Sequence, residues 1–213
     1  MTSPGSFISF EGGDGAGKST QIKLLSAELK NAGHEVVVTR EPGGTDGAEA
    51  IRELIVKGET DRWSPLTESL LMYAARSDHL EKVIKPAIAR GAVVISDRFA
   101  DSSMAYQGLA GSIGVDRIEA LYSLVVGEHG PKLTIILDAP AEEGLGRATS
   151  DDGETRFEEK GTAFQRSVRE AFLSIAKSAP DRCVVIDARD PIDLVAKQVM
   201  AAIGQRLPHL VGQ

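Results

Sequence analysis

The feature that most restricts the fold of this chain is the stretch FEGGDGAGKST, residues 10–20. Four glycines stand within six positions, and a lysine, a serine and a threonine follow at once. Glycine loses more backbone entropy on folding than any other residue, so such a cluster indicates a loop that needs bare backbone. The apolar run SFISF precedes the loop and a helical pattern follows it. The loop is therefore predicted to join a buried strand to a helix.

This loop fits the pattern G-x-x-x-x-G-K-[ST] through Gly12, Gly17, Lys18 and Ser19. In that pattern backbone N–H groups surround a phosphate, and the start of the helix adds partial positive charge. Lys18 is predicted to contact the β- and γ-phosphates of a nucleoside triphosphate, and the Ser19 hydroxyl to bind Mg²⁺. A glycine-rich turn that matches by chance is the less favoured alternative. The predicted nucleotide-binding residues are Gly12, Gly13, Asp14, Gly15, Ala16, Gly17, Lys18, Ser19 and Thr20.

The apolar pattern predicts an α/β fold. Five short apolar runs indicate strands at 6–10, 35–39, 92–96, 133–137 and 183–187, and most are near-continuous Val and Ile. Helical patterns occupy 18–32, 65–84, 114–127 and 159–178, and Asp190 and Pro191 are expected to begin a last helix. We therefore predict one P-loop NTPase domain over residues 1–213, with helices on both faces of a five-stranded parallel sheet.

Composition restricts location and partners. The net charge of −7 argues against nucleic acid as a partner, and no apolar run approaches the ~20 residues that span a bilayer. A single cysteine, Cys183, fits a reducing compartment, so we expect a cytoplasmic protein without nucleic acid or membrane partners. The four histidines lack metal-ligand spacing and are interpreted as solvated, and the C-terminal segment RLPHLVGQ as loosely attached.

Two predicted strands have an arginine just past their ends. Arg40 and Arg98 can converge there on one phosphate, because a guanidinium group matches phosphate geometry. Surface ion pairs are the alternative for both. Two strands also end in aspartates, Asp97 and Asp138, and either could hold Mg²⁺ through water. Asp97 is favoured because it adjoins Arg98, and Asp138 is assigned a structural role.

Together with the P-loop, the stretches TREPGGT (39–45), LLMYAARSDH (70–79) and SDRFADSSMAYQG (96–108) resemble bacterial thymidylate kinases. The resemblance runs from about residue 6 to about residue 203. It implies a homodimeric, Mg²⁺-dependent enzyme that phosphorylates dTMP with ATP, with a small lid over about 146–161.

The resemblance also implies roles for individual residues. Arg40 and Arg98 hold the dTMP phosphate, and Asp14 lies near that phosphate and the metal. Met72 packs on the base where the family usually has Phe, and Arg76 donates to the thymine O4. Ser103 and Gln107 contact the base, and Tyr106 crowds the ribose 2′ position. The alternatives are core packing for Met72 and Tyr106, a solvated helix face for Arg76, a simple turn for Asp14, and bonds to nearby backbone for Ser103 and Gln107.

Phosphoryl transfer also needs a cation over the transferred group. Gly15 occupies the loop position where some family members carry this arginine, so the lid is expected to supply it, by Arg147 first and Arg156 second. An ion pair with Glu159 is the alternative for Arg156. The predicted catalytic residues are Asp14, Lys18, Arg98, Arg147 and Arg156. The rival functions are a kinase for another monophosphate and a nucleotide-binding switch, which would need no second phosphate pocket.

Overall fold

The computed structural model describes residues 5–142, 157 and 160–211. Five parallel strands form one sheet in the order β2-β3-β1-β4-β5. The strands are β1 (Ser6–Glu11), β2 (Val36–Arg40), β3 (Val93–Asp97), β4 (Leu133–Asp138) and β5 (Cys183–Asp187). Each coincides with a predicted run to within one residue at either end. The predicted fold class is confirmed.

Helices connect the strands. They are α1 (Lys18–Asn31), α2 (Asp46–Val56), α3 (Pro65–His79), α4 (Lys85–Ala89), α5 (Ala100–Ser103), α6 (Val115–Val125), α7 (Gly161–Ser178) and α8 (Ile192–Arg206). Two π-helical turns, Leu80–Ile84 and Met104–Leu109, continue α3 and α5. Within the described ranges, no helix is both long and apolar enough to traverse a bilayer.

Alternate side chains of the strands enter separate hydrophobic clusters on the two faces of the sheet. Ile8 and Phe10 of β1 pack with α1 and α8, whereas Phe7 packs with α3 and α6. A third cluster joins α7 to β4, β5 and the turn Met104–Leu109. Because β1 is buried along its whole length, the loop that follows it is anchored at the centre of the molecule.

Two local predictions near the C-terminus are wrong. Pro191 is the N-cap of α8 rather than its first residue, and the Asp190 carboxylate accepts a hydrogen bond from Gln198 instead of capping the helix. The C-terminal segment is not loosely attached, because Leu207 and Leu210 are buried in the cluster with α1 and α8. His34 also hydrogen-bonds the Leu210 carbonyl at 3.0 Å.

Candidate active site

The glycine loop leaves β1 and curls back before α1 begins at Lys18. Gly12, Gly15 and Gly17 have φ angles of 131°, 68° and 89°, which favour glycine. The Lys18 ammonium donates to the carbonyl oxygens of Gly13 at 2.8 Å and Gly12 at 3.3 Å. Burial, with the nearby charge of Arg98, lowers the pKa of Lys18. The loop therefore joins a buried strand to a helix through glycines with positive φ, as its sequence predicts.

Arg98 connects this loop to the neighbouring cleft. It directly follows β3, and its φ of 67° turns the chain sharply there. Its guanidinium donates to the Gly12 carbonyl at 2.9 Å, the Ser102 hydroxyl at 3.1 Å and the Asp14 carboxylate at 2.6 Å. Burial alone would raise the pKa of Asp14, but the charges of Arg98 and Lys18 hold it below its ordinary value. Arg98 and Asp14 are therefore both charged where the glycine loop meets the cleft.

Two of the predicted metal ligands lie together. The Ser19 hydroxyl donates to the Asp97 carboxylate at 3.2 Å, although the residues are 78 positions apart. Asp138, the alternative carboxylate, is paired with Arg169 at 2.6 and 2.8 Å. In the described part of the chain, no cluster of three or more His, Cys, Asp or Glu side chains could hold a metal. Ser19 and Asp97 therefore present oxygen ligands of the kind that Mg²⁺ takes when phosphates and water complete its shell.

One cleft of about 930 Å³ is lined both by the glycine loop and by all seven of the predicted acceptor residues. At its inner end, the buried Arg76 donates from Nη2 to the Ser103 hydroxyl at 3.1 Å. Gln107 donates from Nε2 to Glu68 at 2.9 Å. Met72 also lines this end. The alternative of a solvated Arg76 is therefore wrong, and the side chains of Ser103 and Gln107 bond other side chains rather than nearby backbone.

Tyr106 lies between this inner end and the loop. Its ring meets Phe157, Phe164 and Phe172 edge-on, with centroids 5.9 to 6.2 Å apart. Its hydroxyl is 3.5 Å from the Asp14 carboxylate. Tyr106 and Phe157 also line the cleft, so this aromatic cluster forms part of its wall.

Arg40 is placed differently from Arg98. It lines the same cleft, but its side chain is 56% exposed and pairs with Glu49 at 3.1 Å. The two arginines therefore border one cavity without sharing a partner. Arg147, Arg156, Glu159 and most of the predicted lid lie outside the described residues.

The chain is similar in sequence to a known protein family and to individual proteins. A family model described as thymidylate kinase matches residues 10–199. The chain is 60% identical over 203 residues to a thymidylate kinase of Caulobacter vibrioides, which covers 95% of this chain and 98% of the relative. It is 51% identical over 205 residues to one from Dinoroseobacter shibae, covering 94% and 97%.

The chain belongs to the thymidylate kinase family. The fold agrees with this, since the crystal structure of a thymidylate kinase from Ehrlichia chaffeensis superposes with a TM-score of 0.78 at 35% identity, covering 94% of this chain and 99% of that one. The family membership confirms the resemblance that the P-loop and the three acceptor stretches indicate.

Several residues at this family site were not identifiable from the sequence. Glu41 and Glu68 are buried carboxylates that accept hydrogen bonds from Arg76 and Gln107, and Ser102 connects Arg98 to the buried Glu11. The prediction of a solvated His79 is wrong, because it is completely buried and bonds Glu41 at 2.9 Å and Thr39 at 2.7 Å. The one signal for Glu41 is its position in REPGG, next to the predicted phosphate ligand Arg40.

Proposed function

We propose that this chain transfers the γ-phosphoryl group of ATP to dTMP and releases ADP and dTDP. A phosphate oxygen of dTMP attacks the γ-phosphorus, and the bond from that phosphorus to the oxygen that bridges the β- and γ-phosphates breaks. The observation that carries the proposal is the contact of Arg98 with both Gly12 and Asp14. That contact joins the glycine loop to the part of the cleft that Met72, Arg76 and Gln107 line, which supports two anion-binding regions in one cleft.

Lys18 and the backbone of the glycine loop bind and orient the β- and γ-phosphates of ATP. Lys18 bonds loop carbonyls in the structure, so a phosphate would exchange those contacts for stronger ionic ones. Arg98 and Arg40 bind the phosphate of dTMP from two sides of the cleft. Arg98 is already fixed by Asp14, whereas Arg40 must exchange its exposed ion pair with Glu49 for the phosphate. Most of the rate then comes from positioning and charge neutralisation.

Mg²⁺ fits the oxygen ligands of Ser19 and Asp97, and we propose these two residues as its protein ligands. When bound, the ion neutralises charge on the β- and γ-phosphates. Asp14 keeps Arg98 oriented toward the acceptor. The cation over the transferred group remains assigned to Arg147 first and Arg156 second, and closure of the lid would exclude water from the reaction.

We also propose a homodimer in the cytoplasm. Leu66 and Leu70 of α3 and Leu124 of α6 are exposed, and these two helices pack against each other. Exposed leucines on adjacent helices form the apolar surface that a second copy would cover. The lone Cys183 is buried, which fits a reducing compartment, and the acidic surface disfavours nucleic acid.

Steady-state assays across dTMP, dUMP, CMP, UMP, AMP and GMP test the activity. We expect the highest kcat/KM with dTMP. Replacing Arg98 by Ala should raise the KM for dTMP by about a hundredfold, the effect of two lost ionic hydrogen bonds, and leave the KM for ATP within a few-fold. Arg90→Ala is the matched control, since Arg90 is an exposed arginine paired with Glu35. Preference for another base would refute the substrate, and ATP binding without ADP production from any acceptor would favour a switch.

A further inference from the structure

Arg76 is held at the base end of the cleft by a buried carboxylate. Its Nε donates to Glu41 at 2.7 Å and its Nη2 donates to Ser103. The guanidinium carbon also lies 4.5 and 5.1 Å from the ring centroids of Tyr73 and Phe99. Nη1 is buried and makes no hydrogen bond to any described residue. Burying an N–H donor without a hydrogen bond destabilises the folded protein. Nη1 of Arg76 is therefore the donor that an acceptor atom of a ligand would satisfy.

Gln107 is held by a second buried carboxylate, Glu68. Its Nε2 donates to Glu68 at 2.9 Å, and each of the two residues is only 4% exposed. A carboxylate only accepts hydrogen bonds, whereas an amide can present either its N–H or its oxygen. Glu68 therefore requires the N–H end of the amide, which leaves Oε1 as the end that faces away from it. Gln107 lines the cleft, so the base would meet an acceptor there.

These orientations match thymine and oppose cytosine. Thymine has an acceptor at O4 and an N–H donor at N3, which complement Nη1 of Arg76 and Oε1 of Gln107. Cytosine has an amino group and an unprotonated N3 at the same places, so both pairs would be donor against donor or acceptor against acceptor. A buried site that leaves such groups unpaired discriminates strongly.

We propose that Glu68 is a specificity-determining residue, because it fixes the amide of Gln107 with its oxygen toward N3 of the base. The proposal rests on the contact of Gln107 with the base proposed above. Glu68 touches neither phosphate nor sugar in this scheme and acts through Gln107, so it is a positioning residue. Glu41 is a positioning residue in the same sense, because it fixes Arg76, whose Nη1 is the donor toward the base.

The test is the ratio of kcat/KM for dTMP to that for dCMP in Glu68→Gln. Glutamine has the same shape but can also donate, so Gln107 can reverse and the ratio should fall about tenfold, the effect of one hydrogen bond. The ratio of dTMP to dUMP should stay within twofold, because these bases share O4 and N3–H. Glu28→Gln, on the exposed face of α1, is the matched control. An unchanged ratio of dTMP to dCMP would overturn the proposal.

The double variant Glu68→Gln with Gln107→Glu tests the same idea with the buried charge retained. The amide now at position 68 would donate to the carboxylate now at position 107. The other oxygen of that carboxylate again accepts from N3–H, so the selectivity for dTMP over dCMP should return to at least the wild-type value. A double variant that accepts dCMP as readily as the single variant would overturn the proposal. If Glu68→Gln alone does not fold, the double variant is compared with the wild type instead. A lower selectivity for dTMP over dCMP in the double variant would then overturn the proposal.

Replacing Gln107 by Ala separates reading of the base from orientation of the amide. If Gln107→Ala lowers the ratio of dTMP to dCMP while Glu68→Gln does not, Gln107 reads the base but Glu68 does not orient it, and the proposal fails. The proposed kinase activity is measured independently of this ratio, as ADP production with dTMP, so its failure is distinguishable from a failure of the role of Glu68.

Discussion

Glu11 shows how one buried residue supports the site without contacting it. It ends β1, immediately before the glycine loop, and is completely buried. Its carboxylate accepts from the Phe99 backbone N–H at 2.8 Å and from the Ser102 hydroxyl at 2.6 Å. Burial, with the nearby Asp101, raises its pKa to about 8, against the opposing effect of Arg98. Glu11 thus fixes the backbone after Arg98 and the hydroxyl to which Arg98 donates.

This raised pKa predicts a dependence of stability on pH. The folded protein binds the Glu11 proton up to about pH 8, whereas the unfolded chain releases it near 4.5, so the folded state holds more protons between those values. The contribution of Glu11 to the free energy of unfolding is therefore full below pH 4.5 and is lost as the pH rises to 8. Urea denaturation measures the free energy of unfolding of the wild type and of Glu11→Gln. Relative to the variant, the wild-type value should fall by about 2 kcal/mol between pH 6 and 8. A difference independent of pH would contradict this.

At the scale of elements, the glycine loop depends on its packing against β4. A Cβ on Gly12 would lie 2.4 Å from the Leu137 carbonyl oxygen, and backbone cannot move aside as a flexible side chain can. A Cβ on Gly17 would meet nothing within 4 Å, although the φ of Gly17 is also positive. Comparing substitutions at the two glycines therefore shows how much the clash with β4 adds to the cost of a positive φ.

Gly17→Ala should lower the free energy of unfolding by about 1–2 kcal/mol, the cost of a positive φ with a Cβ. Gly12→Ala also places a Cβ on a residue with positive φ and adds the clash with β4, so it should lose roughly 3 kcal/mol or more. Urea denaturation of both variants measures the difference. Equal losses would show that β4 does not constrain the loop.

The strands and the glycine loop could be predicted because their signals are local. Near-continuous Val and Ile indicate strands buried on both faces, and the P-loop pattern defines its own backbone shape. The orientation of α3 could not be predicted. Leu66, Leu70 and Ala74 recur at helical spacing but are exposed, while Glu68 and Arg76 of the same helix are buried. Periodicity identifies a helix face without saying what covers it.

The supporting shell of the site is the part that local patterns miss. Arg76 meets Glu41 across 35 positions and Gln107 meets Glu68 across 39, so each pair exists only once the sheet is assembled. His79 resembles any surface histidine by its sequence neighbours, and its burial is likewise set by Glu41 and Thr39. Residues that touch ligand follow motifs, whereas residues that hold them in place follow topology.

At the scale of the whole molecule, the segment that contains Leu207 and Leu210 packs on the opposite side of the sheet from α3 and α6. The Ser6 hydroxyl lies 2.9 Å from Nε2 of His209, and Leu210 packs with α1 and α8. The face formed by α3 and α6 carries Leu124 at 81% exposure, Leu70 at 49% and Leu66 at 45%. The C-terminal segment therefore packs on one face, and the other face carries the surface proposed for a second copy.

The exposed leucines of α3 and α6 predict where the proposed dimer can be disrupted. A buried ammonium without a partner opposes association strongly, so Leu124→Lys should shift the protein from dimer to monomer at micromolar concentration. Leu194→Lys is the matched control, because Leu194 is 44% exposed on α8, across the sheet from α3 and α6. Sedimentation velocity of the three proteins distinguishes the states, and thermal unfolding checks that each remains folded. A wild type that sediments as a monomer would contradict the proposed dimer. A Leu124→Lys variant that stays dimeric while Leu194→Lys dissociates would place the interface on the face that carries α8, which must then supply the roughly 800 Å² per partner that a stable interface buries.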